Sequence, residues 1–272
     1  MYVADGYLAK IDSTYNEKAV ANAIRKITSV YNTYIKGTDA KTYFAIIPDK
    51  NYYLAEAHGY PVLDYKKLYV DMRNGLSYMN YIEIRERLSI GDYYRTDLHW
   101  RQEKIVDVAQ LLGKNMGINL DKEYKTITLD TPLNSIYYGD LPDSFMTEKM
   151  SYLDNKLFDS CKVYDYQNDK SIPIYDLQLA ASEISYDMFL SGSLSVITME
   201  NPNAETDREL VIFRDSFGSS IAPLFLEAYK KVTVLDIRYL NETLIPQFVT
   251  FENQDVLFLY NTTVLNNRTS FR

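Results

Sequence analysis

A chain of 272 residues, 46% hydrophobic and with a mean hydropathy of −0.29, has room for one large α/β domain or two small ones. It reads as a soluble globular protein rather than a disordered or membrane-embedded one. Its 29 basic and 37 acidic residues leave a net charge of −8 with no Lys/Arg cluster, which argues against a nucleic-acid binder. No apolar run approaches the roughly 20 residues needed to cross a bilayer. The single cysteine, Cys161, excludes an internal disulfide and a cysteine-based metal site. The 26 tyrosines suit strands and half-buried surfaces, where a flat apolar ring ends in a hydroxyl.

Taken in chain order, Glu17 to Tyr34 carries Val20, Ala23, Ile24, Ile27, Val30, Tyr31 and Tyr34 at spacings of three and four, which predicts an amphipathic helix. Thr42 to Ile47 is a short β-rich run stopped by Pro48-Asp49, and predicts a buried strand. Tyr65 to Leu76 reads as a helix ended by Asn74-Gly75, and Tyr78 to Ile84 as a strand. After Trp100, the stripe Ile105, Val108, Ala109, Leu111 and Leu112 marks another helix, closed at Gly113 or Gly117. Residues 124–175 alternate in short runs punctuated by Pro132, Gly139, Pro142 and Pro173, as an insertion of strands and loops would.

The last third is more regular. Strands are expected at Leu194–Met199, Glu209–Phe213, Val232–Leu235 and Val256–Tyr260, with helices from after Gly218 to about Lys230 and over Glu242–Thr250. Continuous apolar strands alternating with helices predict a parallel sheet covered on both faces, with ligands at the carboxyl ends of its strands.

Two stretches carry chemistry. Tyr93-Tyr94-Arg95-Thr96-Asp97-Leu98-His99-Trp100 holds one of the two histidines, a carboxylate two residues before it and the only tryptophan. In an extended segment, positions two apart lie on the same side, so Asp97 could orient the His99 imidazole for proton transfer. Ser216 follows a buried strand and precedes a helix, the position of an exposed nucleophile in α/β hydrolases, although the Gly-x-Ser-x-Gly elbow is absent. Each is weak alone. A Ser or Asp at such a junction is more often a helix N-cap, and a lone histidine is more often packed or exposed than catalytic. His58, in Glu56-Ala57-His58-Gly59-Tyr60-Pro61, has no carboxylate in register and reads as structural.

Together, Thr96-Asp97-Leu98-His99-Trp100 and the later Phe213-Arg214-Asp215-Ser216-Phe217 resemble the DHHW family, related to the SGNH hydrolase-like proteins of bacterial alginate O-acetylation. The opening Met1-Tyr2-Val3-Ala4-Asp5-Gly6-Tyr7-Leu8, the segment Phe189-Leu190-Ser191-Gly192-Ser193 and the strand Val234–Tyr239 resemble the same pattern. The resemblance implies an SGNH hydrolase-like three-layer α/β/α fold, with a mostly parallel sheet and a permuted order of motifs, over one domain spanning residues 1–272. It implies Ser216 as nucleophile, His99 as general base and acid, Asp97 as its orienter, and an oxyanion hole from Ser216, Gly192 and Ser193. Two departures stand out. Leu98 replaces a histidine that the Asp-x-His spacing does not use, and Ser193 stands where an asparagine is expected.

Arg95, Trp100, Arg214, Arg238 and Tyr239 are candidate substrate-binding residues. For the arginines, pairing with Asp92, Asp215 and Asp236 is at least as natural, and Trp100 more naturally packs beneath the loop. The activity implied is O-acetyl transfer or acetyl-ester hydrolysis on a cell-surface or secreted polysaccharide, without a cofactor or metal. The implied acetyl donor system includes a membrane-bound O-acyltransferase partner, and the implied location is extracytoplasmic, as a soluble portion of a signal-bearing or membrane-anchored precursor. Two other readings compete: an SGNH-like carbohydrate-binding or assembly module without turnover, and a structural surface protein whose Asp97 and Ser216 are caps.

Overall fold

A computed structural model describes residues 1–137 and 148–271. The chain opens with a hairpin, β1 (Tyr2–Ala4) and β2 (Tyr7–Ala9), turned by Asp5 and Gly6 at φ 47° and 78°. Two successive left-handed residues are what a tight two-residue hairpin turn requires, and Asp-Gly supplies them at little strain. Next come α1 (Glu17–Val30), β3 (Lys41–Ile47), the short α2 (Asn51–Leu54) and α3 (Tyr65–Gly75). The side chains of Asn16 and Asp64 accept the amides of Ala19 and Lys67, capping α1 and α3 respectively. Then follow β4 (Asn80–Tyr81), α4 (Val106–Asn115), β5 (Lys125–Pro132), β6 (Lys149–Asp154), β7 (Lys162–Asp165), β8 (Lys170–Ile172) and β9 (Val196–Glu200). The chain ends with β10 (Glu209–Arg214), α5 (Gly218–Ile221), β11 (Lys231–Leu235), β12 (Asp255–Asn261) and α6 (Thr262–Leu265).

Among the described residues the central sheet has eight strands in the order β4-β3-β12-β10-β11-β9-β7-β8. Its strands alternate side chains between two apolar layers. Val211, Phe213, Val256, Phe258, Phe44 and Ile46 pack toward α1 and α3, while Leu210, Ile212, Leu257, Leu259 and Ala45 pack toward α4 and the segment after Ser216. Burying both faces of the sheet is the main stabilising term, at about 1.5–3 kcal/mol for each fully buried large side chain. The three-layer α/β/α arrangement is therefore as expected.

One edge of this mostly parallel sheet is antiparallel. The pairs from β4 through β11 are parallel, but β9 runs antiparallel to β11, and β7 and β8 continue that antiparallel edge. An apolar run reads alike in both directions, so the strand at 196–200 carries no mark of its polarity.

The remaining differences are local. Only Asn80–Tyr81 of the 78–84 run pairs as strand, the helix after Ser216 breaks into α5 and a 3-10 stretch, and Glu242–Gln247 is likewise 3-10. Helix α4 runs through Gly113, and Gly117, at φ 74°, follows its end. Of the expected insertion, β5 and β6 form a separate ribbon while β7 and β8 extend the central sheet; Gly139 and Pro142 lie outside the described residues. No helix among the described residues is long and apolar enough to cross a membrane.

Candidate active site

Strand β10 is buried to its end at Arg214, so the chain must turn sharply at the carboxyl rim of the sheet. Asp215 organises that turn. Its Oδ1 accepts the Phe217 amide at 3.0 Å and its Oδ2 accepts the Asn261 amide at 2.6 Å, tying the turn to the end of β12. Burial pushes this carboxyl up, against the charge of Arg238 and the two amide hydrogen bonds. A Cβ on Gly218 would sit 2.5 Å from Arg214 Cβ, so only glycine lets the helix start so close to the strand. Asp215 thus braces the turn, and Ser216 is left half-buried with its hydroxyl at the rim. Among the described residues no acceptor takes the Ser216 amide.

The Tyr93–Trp100 segment folds back on itself, bridging Tyr93 to Trp100, with the Tyr94 amide on the His99 carbonyl at 3.0 Å. Asp97 Oδ1 accepts both the backbone amide of His99 (3.0 Å) and its ring Nδ1 (2.6 Å). Asp97 Oδ2 accepts the Ile136 amide at 3.1 Å and shares the Ser135 hydroxyl proton (3.3 Å) with the Thr96 carbonyl. Burial alone would raise this carboxyl, but His99 and the two amides outweigh burial and hold it at about 2. It is a fixed anion at any physiological pH.

On the other side of the ring, His99 Nε2 lies 2.7 Å from Ser216 Oγ. The ring is clamped flat against Tyr186, with centroids 3.7 Å apart and planes 4° from parallel, and Tyr186 is pinned by its hydroxyl to Ser220 (2.7 Å). Asp97, His99 and Ser216 are therefore brought into one line, acid to imidazole to alcohol. In that arrangement the serine proton has an acceptor whose charged form is stabilised behind it.

The other expected residues divide. Trp100 is buried and offers no stacking face. Its indole N–H reaches the Phe217 carbonyl (3.0 Å) and Ser220 Oγ (2.9 Å), so it locks the histidine loop to the serine turn. Arg214 is also buried, beneath the site. It reaches the carbonyls of Gly192 and Leu194 at 3.4 Å, and its partner is Asp236 (3.6 Å), not Asp215. Arg238 holds Asp236 with two hydrogen bonds, at 2.9 and 2.6 Å. Arg95 is exposed and lies over the Tyr7 ring rather than on Asp92, whose Oδ2 instead accepts from Ser89.

Tyr239 is 64% exposed and lines a cleft of about 1090 Å³, together with Leu98, Ile136, Phe217 and Arg238. Gly192, at φ 89°, follows Leu190 and Ser191 at φ 54° and 55°, an uncommon run of left-handed residues of the kind found at functional loops. Its amide donates to the Phe189 carbonyl at 3.2 Å, and the neighbouring Ser193 is exposed.

Several site residues carried no signal in the sequence. Ser135 and Ile136, which seat Asp97, come from the least regular part of the chain. Tyr186 is one tyrosine of many. Lys50 is buried at the cleft and donates to the carbonyls of Tyr94 and Arg95 (3.0 and 3.2 Å), stapling the histidine loop; burial pulls it down to about 8. Among the described residues no three His, Cys, Asp or Glu side chains gather as a metal site would need.

No family model and no curated protein matches the sequence. Solved structures do match in fold. A DHHW family protein from Eubacterium siraeum superposes with a TM-score of 0.75 at 19% identity, covering 98% of this chain and 91% of that one. Bacillus cereus PatB1, solved with a sulfonyl adduct, gives 0.75 at 21% identity over 100% and 98%. The O-acetyltransferase domain of Pseudomonas putida AlgJ gives 0.51 at 12% over 98% and 90%. The chain thus has the fold that its Asp-x-His and Asp-Ser motifs led us to expect.

Proposed function

We propose that the protein is a serine-dependent O-acetyltransferase or acetylesterase that acts on a cell-surface or secreted polysaccharide. The observation that carries this reading is the unbroken line from Asp97 through His99 to Ser216, with contacts of 2.6 and 2.7 Å. In the first step Ser216 Oγ attacks the acetyl carbonyl and its proton passes to His99 Nε2. The carbonyl electrons move onto oxygen beside the Ser216 amide, which no acceptor among the described residues takes. Collapse breaks the bond to the leaving alkoxide, which takes the proton from His99 and leaves an acetyl-serine. A sugar hydroxyl or water, deprotonated by the same imidazole, then attacks the acetyl carbonyl; the bond to Ser216 Oγ breaks and Oγ takes the proton back from His99.

The adjacent cleft suits a sugar chain, because exposed Tyr239 offers a flat ring face beside Arg238 and apolar Leu98 and Ile136. An acetyl donor delivered through a membrane-bound O-acyltransferase, and an extracytoplasmic location, go with this reading.

The test is turnover of p-nitrophenyl acetate, with mass spectrometry of the acetylated or sulfonylated protein. We expect the adduct on Ser216 and a fall of at least about 10³-fold in Ser216→Ala and His99→Ala. Undiminished turnover in both variants would end the proposal. The exposed Ser193 and the engaged Gly192 amide favour one competitor, a carbohydrate-binding or assembly module without turnover. Glycan binding without cleavage of any acetylated sugar would select it.

A further inference from the structure

The β5–β6 ribbon stands outside the central sheet, yet both of its arms reach the histidine loop. The chain leaving β5 carries Ser135 and Ile136, which hold the Asp97 carboxylate, and Ser135 also donates to the Thr96 carbonyl. The chain entering β6 carries the half-buried Glu148, whose own carbonyl accepts the Leu133 amide at 2.8 Å and so ties the two arms together. A single oxygen of Glu148, Oε2, accepts both the backbone amide of Thr96 (2.8 Å) and its hydroxyl (3.0 Å). Thr96 is buried and directly precedes Asp97, so its amide, hydroxyl and carbonyl are all held from the ribbon side. The other end of the ribbon is anchored as well. The Leu153 amide donates to Gln102 Oε1 at 2.8 Å, and Gln102 Nε2 donates to the Ser220 carbonyl at 2.7 Å. The Glu148 charge also favours the ammonium form of buried Lys50, which holds the Tyr94 and Arg95 carbonyls.

We propose that Glu148 is a positioning residue for the acyl-transfer step: through Thr96 it fixes the backbone on which Asp97 stands, and with it the line from Asp97 through His99 to Ser216. The inference rests on the acyl-transfer reading above. Among the described residues the Glu148 side chain bonds only Thr96, so removing it takes no donor, acceptor or charge from the triad itself. Its effect is geometric. Asp97 must meet the His99 ring with Oδ1 while Oδ2 stays on the Ile136 amide, and a shifted backbone cannot satisfy both. Hydrogen bonds to an ionised acceptor are about twice as strong as neutral ones. A buried amide and hydroxyl that lose such an acceptor must move toward another, because leaving both unpaired costs more. A displacement of about 1 Å in a catalytic line can cost about 10²-fold in rate.

The experiment measures kcat and KM separately for p-nitrophenyl acetate in wild type, Glu148→Ala, Glu148→Gln and Ser216→Ala, with thermal unfolding to confirm folded protein. Glutamine keeps an oxygen acceptor of the same reach and loses only the charge. We expect folded Glu148→Ala to lose about 10²-fold in kcat with KM within about 2-fold of wild type. Glu148→Gln should recover to within about 5-fold of the wild-type kcat. A residue that only stabilised the ribbon would lower the unfolding temperature and leave kcat of the folded enzyme unchanged. Wild-type kcat in Glu148→Ala, a loss confined to KM, or Glu148→Gln as slow as Glu148→Ala overturns the inference and leaves the serine reading intact. If Glu148→Ala does not fold, Thr96→Val replaces it: losing the hydroxyl donor alone should lower kcat about 10-fold, and an unchanged kcat overturns the inference. Ser216→Ala as active as wild type overturns the acyl-transfer reading itself.

Discussion

The molecule contains two imidazole–carboxylate pairs whose geometry is similar and whose surroundings are opposite. His99 Nδ1 meets Asp97 at 2.6 Å with both side chains almost wholly buried, whereas His58 Nε2 meets Asp5 at 2.9 Å with the two side chains 32% and 65% exposed. The first pair is seated by backbone amides, by a hydroxyl and by a stacked tyrosine, and has an alcohol on its far nitrogen. The second joins the tip of the β1–β2 hairpin to a short 3-10 turn. Contact distance alone does not separate a reactive pair from a surface one. What does is removal of water and a third group in line, because desolvated charges interact several times more strongly than exposed ones.

The largest difference between the pairs should appear on removing a single charge. Asp97→Asn leaves the packing in place but cannot hold the imidazole as the tautomer with its proton on Nδ1, and kcat for ester turnover should fall by about 10⁴-fold. The matching change, Asp5→Asn, should leave kcat unaltered. Steady-state kinetics on the two variants would break the contrast if they responded alike.

A medium effect is expected on acid stability. The Asp97 carboxyl is held at about 2 in the folded protein, against an ordinary 3.8. A depressed carboxylate contributes stability that is present above its unfolded value and lost as pH falls through its folded one. Roughly 2 kcal/mol should therefore disappear between about pH 4 and pH 2. Urea unfolding across that range should show the loss in wild type and not in Asp97→Asn. The smallest effect belongs to the exposed pair: His58→Ala should shift unfolding free energy by no more than about 0.5 kcal/mol at neutral pH, measured the same way.

Much of this was legible beforehand for particular reasons. Asp97, His99 and Ser216 stood out because two local spacings, Asp-x-His in an extended loop and a serine between a buried strand and a helix, constrain side-chain direction without any tertiary knowledge. The helices at 17–30 and 65–75 were legible from apolar spacing, and the strands from their apolar runs. The antiparallel course of β9 was hidden, since its residues would be equally buried in either direction. Ser135, Ile136 and Tyr186 were hidden because their roles consist of reaching residues 38 to 39 positions away, or of lying flat on a ring from another segment. Trp100 and Arg214 illustrate the converse, residues suited to binding that packing turned inward.

Local chemistry in the chain determined the layered α/β architecture, the identity of the acid, the imidazole and the alcohol, and the glycine positions that let strand and helix approach. Tertiary structure alone decided that the imidazole of His99 meets Ser216, that Asp5 faces His58, and which arginines are buried as struts. The physical reason is that backbone preferences act over a few residues, whereas desolvation, and the charge interactions it strengthens, depend on whatever the completed fold packs alongside.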